Sequence, residues 1–482
     1  MTATVLVWGC TSGAGKSWIA TALLRLAARR GIDAAPFKAQ NMSNNARAIE
    51  GGEIGTAQYW QARAAGLAPC VDHNPVLLKP EADNASQVVV HGHVRRDLAD
   101  RPWRDRAATL AQAAHASFER LAARHALLVV EGAGSPAEIN LAASDYVNLA
   151  TARWAAARGP VRALLVADID RGGAFAHLLG TWQLLPDDLR PRLAGFVLNR
   201  FRGDAALLAP APQWLAQRTG VPVLGVVPWV AGHGLPDEDG WDAPPATPDG
   251  VRVALVAAPR ASNLDEFAAL ARLPNVALAR ATEPRHLDGA ALIVLPGSKS
   301  TIADLAWLRT QGLAAAIRAA AARGVPVLGI CGGMQMLGTT LHDAEGYDGA
   351  RCDAAEGLAL LPVATRFAAD KCVRAVKARF ARLQGRWGAW SERPAEGYEI
   401  RCGRSEGDAA SVALRDADGA ALGFTRGNVL GIAVHGLLES PGLTAALFGA
   451  AAGAPDLDAM ADAVEQALAP ATVDSLLDVR TP

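Results

Sequence analysis

The sequence has almost no net charge. Its 47 Lys and Arg stand against 48 Asp and Glu, a formal −1, with both signs interspersed and no basic stripe. That argues against nucleic acid or an anionic membrane as a main partner. It has no uninterrupted apolar run approaching the roughly 20 residues that span a bilayer. The first residues enter an apolar strand directly, with neither a charged n-region nor a small-residue cleavage site, so a cytoplasmic protein is expected. The six cysteines, Cys10, Cys70, Cys331, Cys352, Cys372 and Cys402, form no C-x-x-C pair and no metal-finger spacing. Reduced thiols are therefore expected, and structural zinc is not. Internal repeats and low-complexity tracts are also missing. The Ala/Arg-rich stretch 313–323 is helical in propensity, and the scattered tryptophans read as packing residues.

What is present is alternation. Across 482 residues short apolar strands alternate with helical stretches in two successive runs, enough chain for two to four domains. The pattern predicts an α/β protein with two open, mostly parallel, doubly wound sheets whose sites lie at strand C-termini. A first unit is expected over residues 1–230. Residues 231–250, rich in Pro, Gly and Asp and without apolar periodicity, read as a linker. A second unit is expected over 251–482, with residues 444–482 as its closing helices.

In the first unit a strand ends at Gly9-Cys10-Thr11-Ser12-Gly13-Ala14-Gly15-Lys16-Ser17 and a helix follows. Gly9, Gly13 and Gly15 let backbone N–H groups curl around phosphates, Lys16 meets the β and γ oxygens, and Ser17 offers its hydroxyl to Mg2+. The first glycine lies one position early for a strict Walker A loop, since Cys10 occupies the standard place. This offset resembles dethiobiotin-synthetase-like ATPases, which activate carboxylates with ATP. The resemblance implies that Lys38, after the second strand, reaches the substrate carboxylate and the transferring phosphate. Asn41 lies in the same amide-rich loop, 38–45. It also makes Glu131, at the end of the strand starting at Leu127, the Mg2+ ligand across from the phosphate loop. Asp168 and Asp170 stand at the end of another strand, near substrate or metal, with solvated loop acids as the alternative. Asn199, after a late strand, corresponds to the asparagine that reads the nucleotide base in related ATPases.

In the second unit Cys331 is wedged between an apolar run, 325–330, and Gly332-Gly333. A lone cysteine is ordinarily a buried structural one. Here G-x-C-x-G spacing between strand and helix predicts a nucleophile elbow, with helix N-terminal amides that favour thiolate and oxyanion. These residues resemble class I glutamine amidotransferases, whose elbow reads G-x-C-x-G-x-Q and whose cysteine attacks the side-chain amide of glutamine. Gln335 matches that glutamine. The resemblance implies that His435, at the end of the strand after Val429, is the general base. It also implies that the loop at Pro296-Gly297 and the amide of Gly332 form the oxyanion hole and glutamine site. One position departs from the pattern: the triad acid expected two residues after the histidine is Leu437, so a cysteine-histidine dyad is expected, with Glu439 a distant substitute.

Residues 38–45, 74–80 and 86–90 together resemble the cobyric acid synthase family of the cobalamin pathway over almost the whole chain. The resemblance implies ATP- and glutamine-dependent amidation, through an acyl phosphate, of corrin carboxylates b, d, e and g of adenosylcobyrinic acid a,c-diamide. It implies small-molecule partners only, corrin a,c-diamide, glutamine and ATP, with no nucleic acid and no membrane; the sequence leaves homo-oligomer formation open. Two rivals share parts of this pattern. Cobyrinic acid a,c-diamide synthase and other phosphate-loop amidotransferases share both chemistries, and a partition-type regulatory ATPase shares the loop alone, with Thr11 where it carries a signature lysine.

Overall fold

The computed structural model describes residues 1–82, 85–99, 101–236, 250–349 and 351–480. Of the linker expected at 231–250, residues 237–249 lie outside the described residues. Among the described residues no helix is long and apolar enough to cross a membrane.

The first sheet has six parallel strands in the order Val223–Pro228, Leu193–Phe201, Val161–Asp168, Ala3–Gly9, Leu127–Glu131 and Ala34–Phe37. Helices cover both faces, which is why Ala3–Gly9 and Leu127–Glu131 are buried at every position and are apolar apart from Thr4 and the terminal Glu131. Parallel register fixes what shares an edge. Val7 pairs with Glu131, Gly9 with Val166, and Asp168 with Asn199. The phosphate loop, Glu131, Asp168 and Asn199 therefore emerge together at the C-terminal edge.

The second sheet has a parallel core, Val276–Ala281, Val251–Val256, Leu292–Leu295, Val327–Ile330 and Val429–Ile432. Beyond Val429–Ile432 it continues largely antiparallel, through Ala421–Arg426, Val412–Asp416 and the long hairpin of Val363–Phe380 with Pro394–Gly407. The expectation of a mostly parallel sheet thus describes the core of this unit and not its far side. The start of Val363–Phe380 alternates buried and exposed positions, the pattern of a strand with one face on water.

The closing helices are a second departure. Leu457–Leu468 and Pro470–Leu477 cover the first sheet, not the second. Met460, Ala461, Val464, Leu468, Val473 and Leu476 join the apolar cluster of Val5, Val7, Ile19 and Leu23. Residues 460, 461, 464 and 468 form one face of the helix. Arg29 pairs with Asp462 and Arg30 with Glu465 at its rim, both at 2.5 Å. The chain returns to its first unit because that face of the helix Lys16–Arg29 would otherwise expose its leucines.

Candidate active site

Cys331 sits where the strand Val327–Ile330 turns into the short helix Gly332–Leu337, with φ 49° and ψ −106°. A non-glycine residue at positive φ is strained, and that strain is what a sharp strand-to-helix elbow requires. The turn is locked from several sides. Cys331 N donates to Ile432 O at 2.7 Å. A Cβ on Gly333 would lie 2.0 Å from Leu295 O, and one on Gly332 would lie 2.6 Å from Ser298 N. The loop Gly297–Ser298 therefore lies directly against the elbow. It also touches the histidine, since a Cβ on Gly297 would lie 2.9 Å from Cε1 of His435.

His435 follows the strand Val429–Ile432 and is 1% exposed. Its Nδ1 lies 2.8 Å from Oε1 of Glu266, whose other oxygen accepts from Gly436 N at 2.8 Å. Glu266 is fully buried. The imidazole also stacks on Tyr398, centroids 5.4 Å apart. Burial opposes protonation of His435, but Glu266 and a hydrogen bond with Cys331 outweigh it and raise the pKa to about 10. The imidazole is thus poised to remain protonated beside the sulfur.

The expected dyad is therefore corrected. A carboxylate does meet the imidazole, and it comes from the short helix Leu264–Phe267, far upstream in the chain. Glu439 turns to Arg47 instead, and Leu437 is buried in the core. Gln335, 2% exposed, accepts from Thr301 Oγ1 at 3.2 Å and lines the pocket over Cys331. That pocket is shared between the halves: Asn44 and Lys79 of the first line it with Cys331, Ser298, Lys371 and Arg401 of the second. Lys79 donates to Glu53 at 2.6 Å and Lys371 reaches both Glu53 and, at 2.8 Å, Gln87. Burial works against Glu53, yet the two ammonium groups hold its pKa down to about 2.

At the other edge Lys16 curls over its loop, with Nζ donating to Thr11 O at 3.0 Å and Gly134 O at 3.1 Å. Gly13 and Gly15 take φ of 70° and 94°. A Cβ on Gly9 would lie 3.0 Å from the Lys16 Nζ, so the early glycine makes room for the lysine itself. Glu131, fully buried, gathers four donors: Ser17 Oγ at 2.8 Å, Lys38 Nζ at 2.9 Å, Gln61 Nε2 at 2.5 Å and Gln58 Nε2 at 3.3 Å. Asn41 donates to Gln58 at 3.1 Å and so belongs to the same shell. Asn199 Nδ2 donates to Ala14 O at 3.0 Å and so braces the phosphate loop. Asp168 pairs with Arg200 at 3.2 Å and Arg171 at 3.3 Å, while Asp170 is exposed. Glu266, Arg47, Gln58 and Gln61 were not singled out by the sequence. The one signal for Glu266 was a pair of adjacent acids, Asp265-Glu266, following the first strand of the second sheet.

A phosphate loop with its carboxylate on one sheet, and a cysteine elbow with its histidine on another, define a glutamine amidotransferase joined to a nucleotide-binding unit. Residues 252–442 match the CobB/CobQ-like glutamine amidotransferase domain, and residues 5–235 match the CobQ/CobB/MinD/ParA nucleotide binding domain. The cobyric acid synthase of Leptothrix cholodnii is 51% identical, covering 99% of this chain and 98% of that one. The cobyric acid synthase of Acidovorax sp. (strain JS42) is 52% identical over 98% of this chain and 97% of its own. The chain belongs to the cobyric acid synthase family. It is an ATP-using, glutamine-hydrolysing ligase.

Proposed function

We propose that the chain amidates the b, d, e and g carboxylates of adenosylcobyrinic acid a,c-diamide, giving adenosylcobyric acid with ADP, phosphate and glutamate. The glutaminase reaction starts with Cys331 Sγ attacking the side-chain carbonyl carbon of glutamine. Backbone amides near Gly297 and Gly332 hold the oxyanion. His435 gives its proton to the leaving nitrogen, the C–N bond breaks, and ammonia departs from a thioester. Water then adds as His435 accepts its proton, and the C–S bond breaks to release glutamate. Glu266 holds the imidazole by Nδ1 throughout, so that Nε2 faces the reacting atoms.

In the first unit, residues 1–230, a corrin carboxylate oxygen attacks the γ-phosphorus of ATP. ADP leaves, and ammonia displaces phosphate from the acyl phosphate. Lys16 and Lys38 meet the transferring phosphoryl group, Asn199 sets the loop, and Asn41, Asp168 and Asp170 flank the acceptor. Ser17 and Glu131 would hold Mg2+. The fit is chemical: a hydroxyl and a carboxylate 2.8 Å apart are hard oxygen donors, and Lys38 on the same carboxylate oxygen takes the place of cationic charge. When bound, Mg2+ would neutralise charge on the phosphates.

The observation that carries this reading is the shared pocket over Cys331, lined from both halves by Lys79 and Asn44 opposite Ser298 and Gln335. It supports nitrogen release at the seam of the two units, beside the half that activates the acceptor. Mass spectrometry of corrins incubated with ATP and glutamine tests it. Stepwise exchange of four OH groups for NH2 on the a,c-diamide is expected. Amidation at positions a and c only, starting from the unamidated corrin, would overturn the acceptor in favour of the neighbouring diamide synthases.

A further inference from the structure

We infer that Arg47, which belongs to the phosphate-loop half, is a positioning residue of the glutaminase centre. It holds the segment bearing Glu266 through Asp265, and it flanks His435 through Tyr398. This rests on the assignment of Cys331 and His435 to glutamine hydrolysis made above.

Arg47 lies on the strand Ala46–Ile49 and is 4% exposed. Its Nε and Nη2 donate to Asp265 Oδ2 at 3.0 and 2.5 Å. Its Nη1 donates to Glu439 Oε2 at 2.7 Å, and Nη2 reaches Oε1 of the same carboxylate. The guanidinium carbon is 5.3 Å from the centroid of the Tyr398 ring, which itself stacks on the His435 imidazole. Asp265 precedes Glu266, and Glu439 closes the turn that follows His435. One rigid fork of donors therefore ties down both ends of the Glu266–His435 hydrogen bond.

The segment needs that external hold. Leu264–Phe267 is a single 3-10 turn, too short to fix itself, and it starts from Asn263 at φ 55°. Every residue before Glu266 in this turn is bonded to the other half. Asn263 Nδ2 donates to Ala46 O at 2.7 Å, Leu264 N to Asn45 Oδ1 at 3.0 Å, and Thr56 Oγ1 donates to Asp265 Oδ2 at 3.2 Å. Without the guanidinium, the buried Asp265 and the half-buried Glu439 would be carboxylates close to Glu266 with their shared cation gone. Their separation would carry Glu266 away from Nδ1 while leaving the lining of the glutamine pocket in place.

The full chain carrying Arg47→Met tests this by the ratio of glutamine-dependent to ammonia-dependent amidation. The ratio is expected to fall about 100-fold, the effect of misplacing a catalytic group by about 1 Å. The loss should lie in kcat for glutamine hydrolysis, with KM for glutamine nearly unchanged. Adding Arg47→Met to Glu266→Gln should cost little beyond Glu266→Gln alone, because both act on the same imidazole. An unchanged ratio, an equal fall in both activities, or fully multiplicative losses would each overturn the inference. If Arg47→Met does not fold, Asp265→Asn is read the same way, with a smaller fall expected and an unchanged ratio again decisive. Cys331→Ser run in parallel separates the two levels. Glutamine hydrolysis surviving in Cys331→Ser defeats the glutaminase assignment itself, whereas its loss there with an unchanged ratio in Arg47→Met defeats the role of Arg47 alone.

Discussion

The two reactive centres are held in opposite ways. Around the phosphate loop the side-chain hydrogen bonds join residues of the same half of the chain: Lys16 on Thr11 and Gly134, Asn199 on Ala14, and Glu131 under Ser17, Lys38, Gln58 and Gln61. Around the cysteine the elbow is self-supporting, but the turn bearing Glu266 is held by Asn45, Ala46, Arg47 and Thr56 of the other half. The difference teaches that the bonds bracing the phosphate loop and Glu131 are local to one sheet. The turn that carries Glu266 to His435 takes its hydrogen bonds from the opposite half, an arrangement that suits a source of ammonia useful only beside an activated acceptor.

The hardest break of this comparison uses Cys331→Ser and Lys16→Ala. Cys331→Ser should abolish glutamine-dependent synthesis and leave synthesis from added ammonium salts largely intact, since only the nitrogen source needs the sulfur. Lys16→Ala should stop amidation with either nitrogen source while glutamine hydrolysis persists. Steady-state rates with glutamine and with ammonium chloride check both. Loss of every activity in Cys331→Ser would mean that the elbow supports the ATP site as well, and the separation of centres would be wrong.

Next in size is Glu266→Gln. An amide cannot balance a protonated imidazole, and it favours the wrong tautomer, so glutamine-dependent turnover should fall on the order of 10^3-fold with ammonia-dependent turnover kept. A change of only a few-fold would return the centre to the two-residue form expected from sequence.

That expectation shows what was legible in the chain. The phosphate loop and the elbow could be read because each is contiguous: glycines, lysine and serine, or glycine, cysteine and glycine, lie within a few residues of one another between a strand and a helix. His435 could be read because a strand end fixes it. Glu266 could not, since it meets His435 across 169 residues and no spacing rule links a 3-10 turn to a strand end on the same sheet. Arg47 is harder still, because it meets Asp265 across 218 residues and across the seam of two units. The last helices show the same limit. The apolar face at 460, 461, 464 and 468 announces a helix, but nothing in it says which sheet it will cover. Asn199 could be placed at its sheet edge, since register fixes the edge, but its bond to Ala14 O could not be read, since side-chain rotamers fix that partner.

A smaller effect should appear in pH. The His435 pKa rises from 6.5 to about 10 on folding, because Glu266 and Cys331 outweigh burial. A group raised in this way contributes stability that is fully present below its unfolded pKa and is lost as pH climbs through the folded one. The margin in melting temperature of the wild type over His435→Gln should therefore be constant below about pH 6.5 and shrink steadily up to about pH 10. Glu53 titrates with the opposite sign. Its pKa is held to about 2 by Lys371 and Lys79 against burial, so its contribution is present above 4.5 and lost only as pH falls toward 2. A margin for His435→Gln that grows with alkalinity would show that the imidazole is neutral in the folded chain.

The smallest effect should come from Glu439→Gln. Glu439 was the one downstream carboxylate that sequence offered as a partner for His435, and the structure turns it onto Arg47 instead. Its loss leaves the Glu266–His435 bond in place and leaves Arg47 its two donors to Asp265. A glutamine amide can still accept from Nη1, so what disappears is charge at a partly exposed side chain, where ion pairs contribute about 1 kcal/mol or less. Glutamine-dependent turnover should fall by less than about tenfold, well short of the loss of a triad acid, with ammonia-dependent turnover unchanged. Measured beside Glu266→Gln, the two variants rank the carboxylates. If Glu439→Gln proved the more damaging, His435 would take its orientation from the downstream turn, and the dependence of the glutamine site on the opposite half would lose its main support.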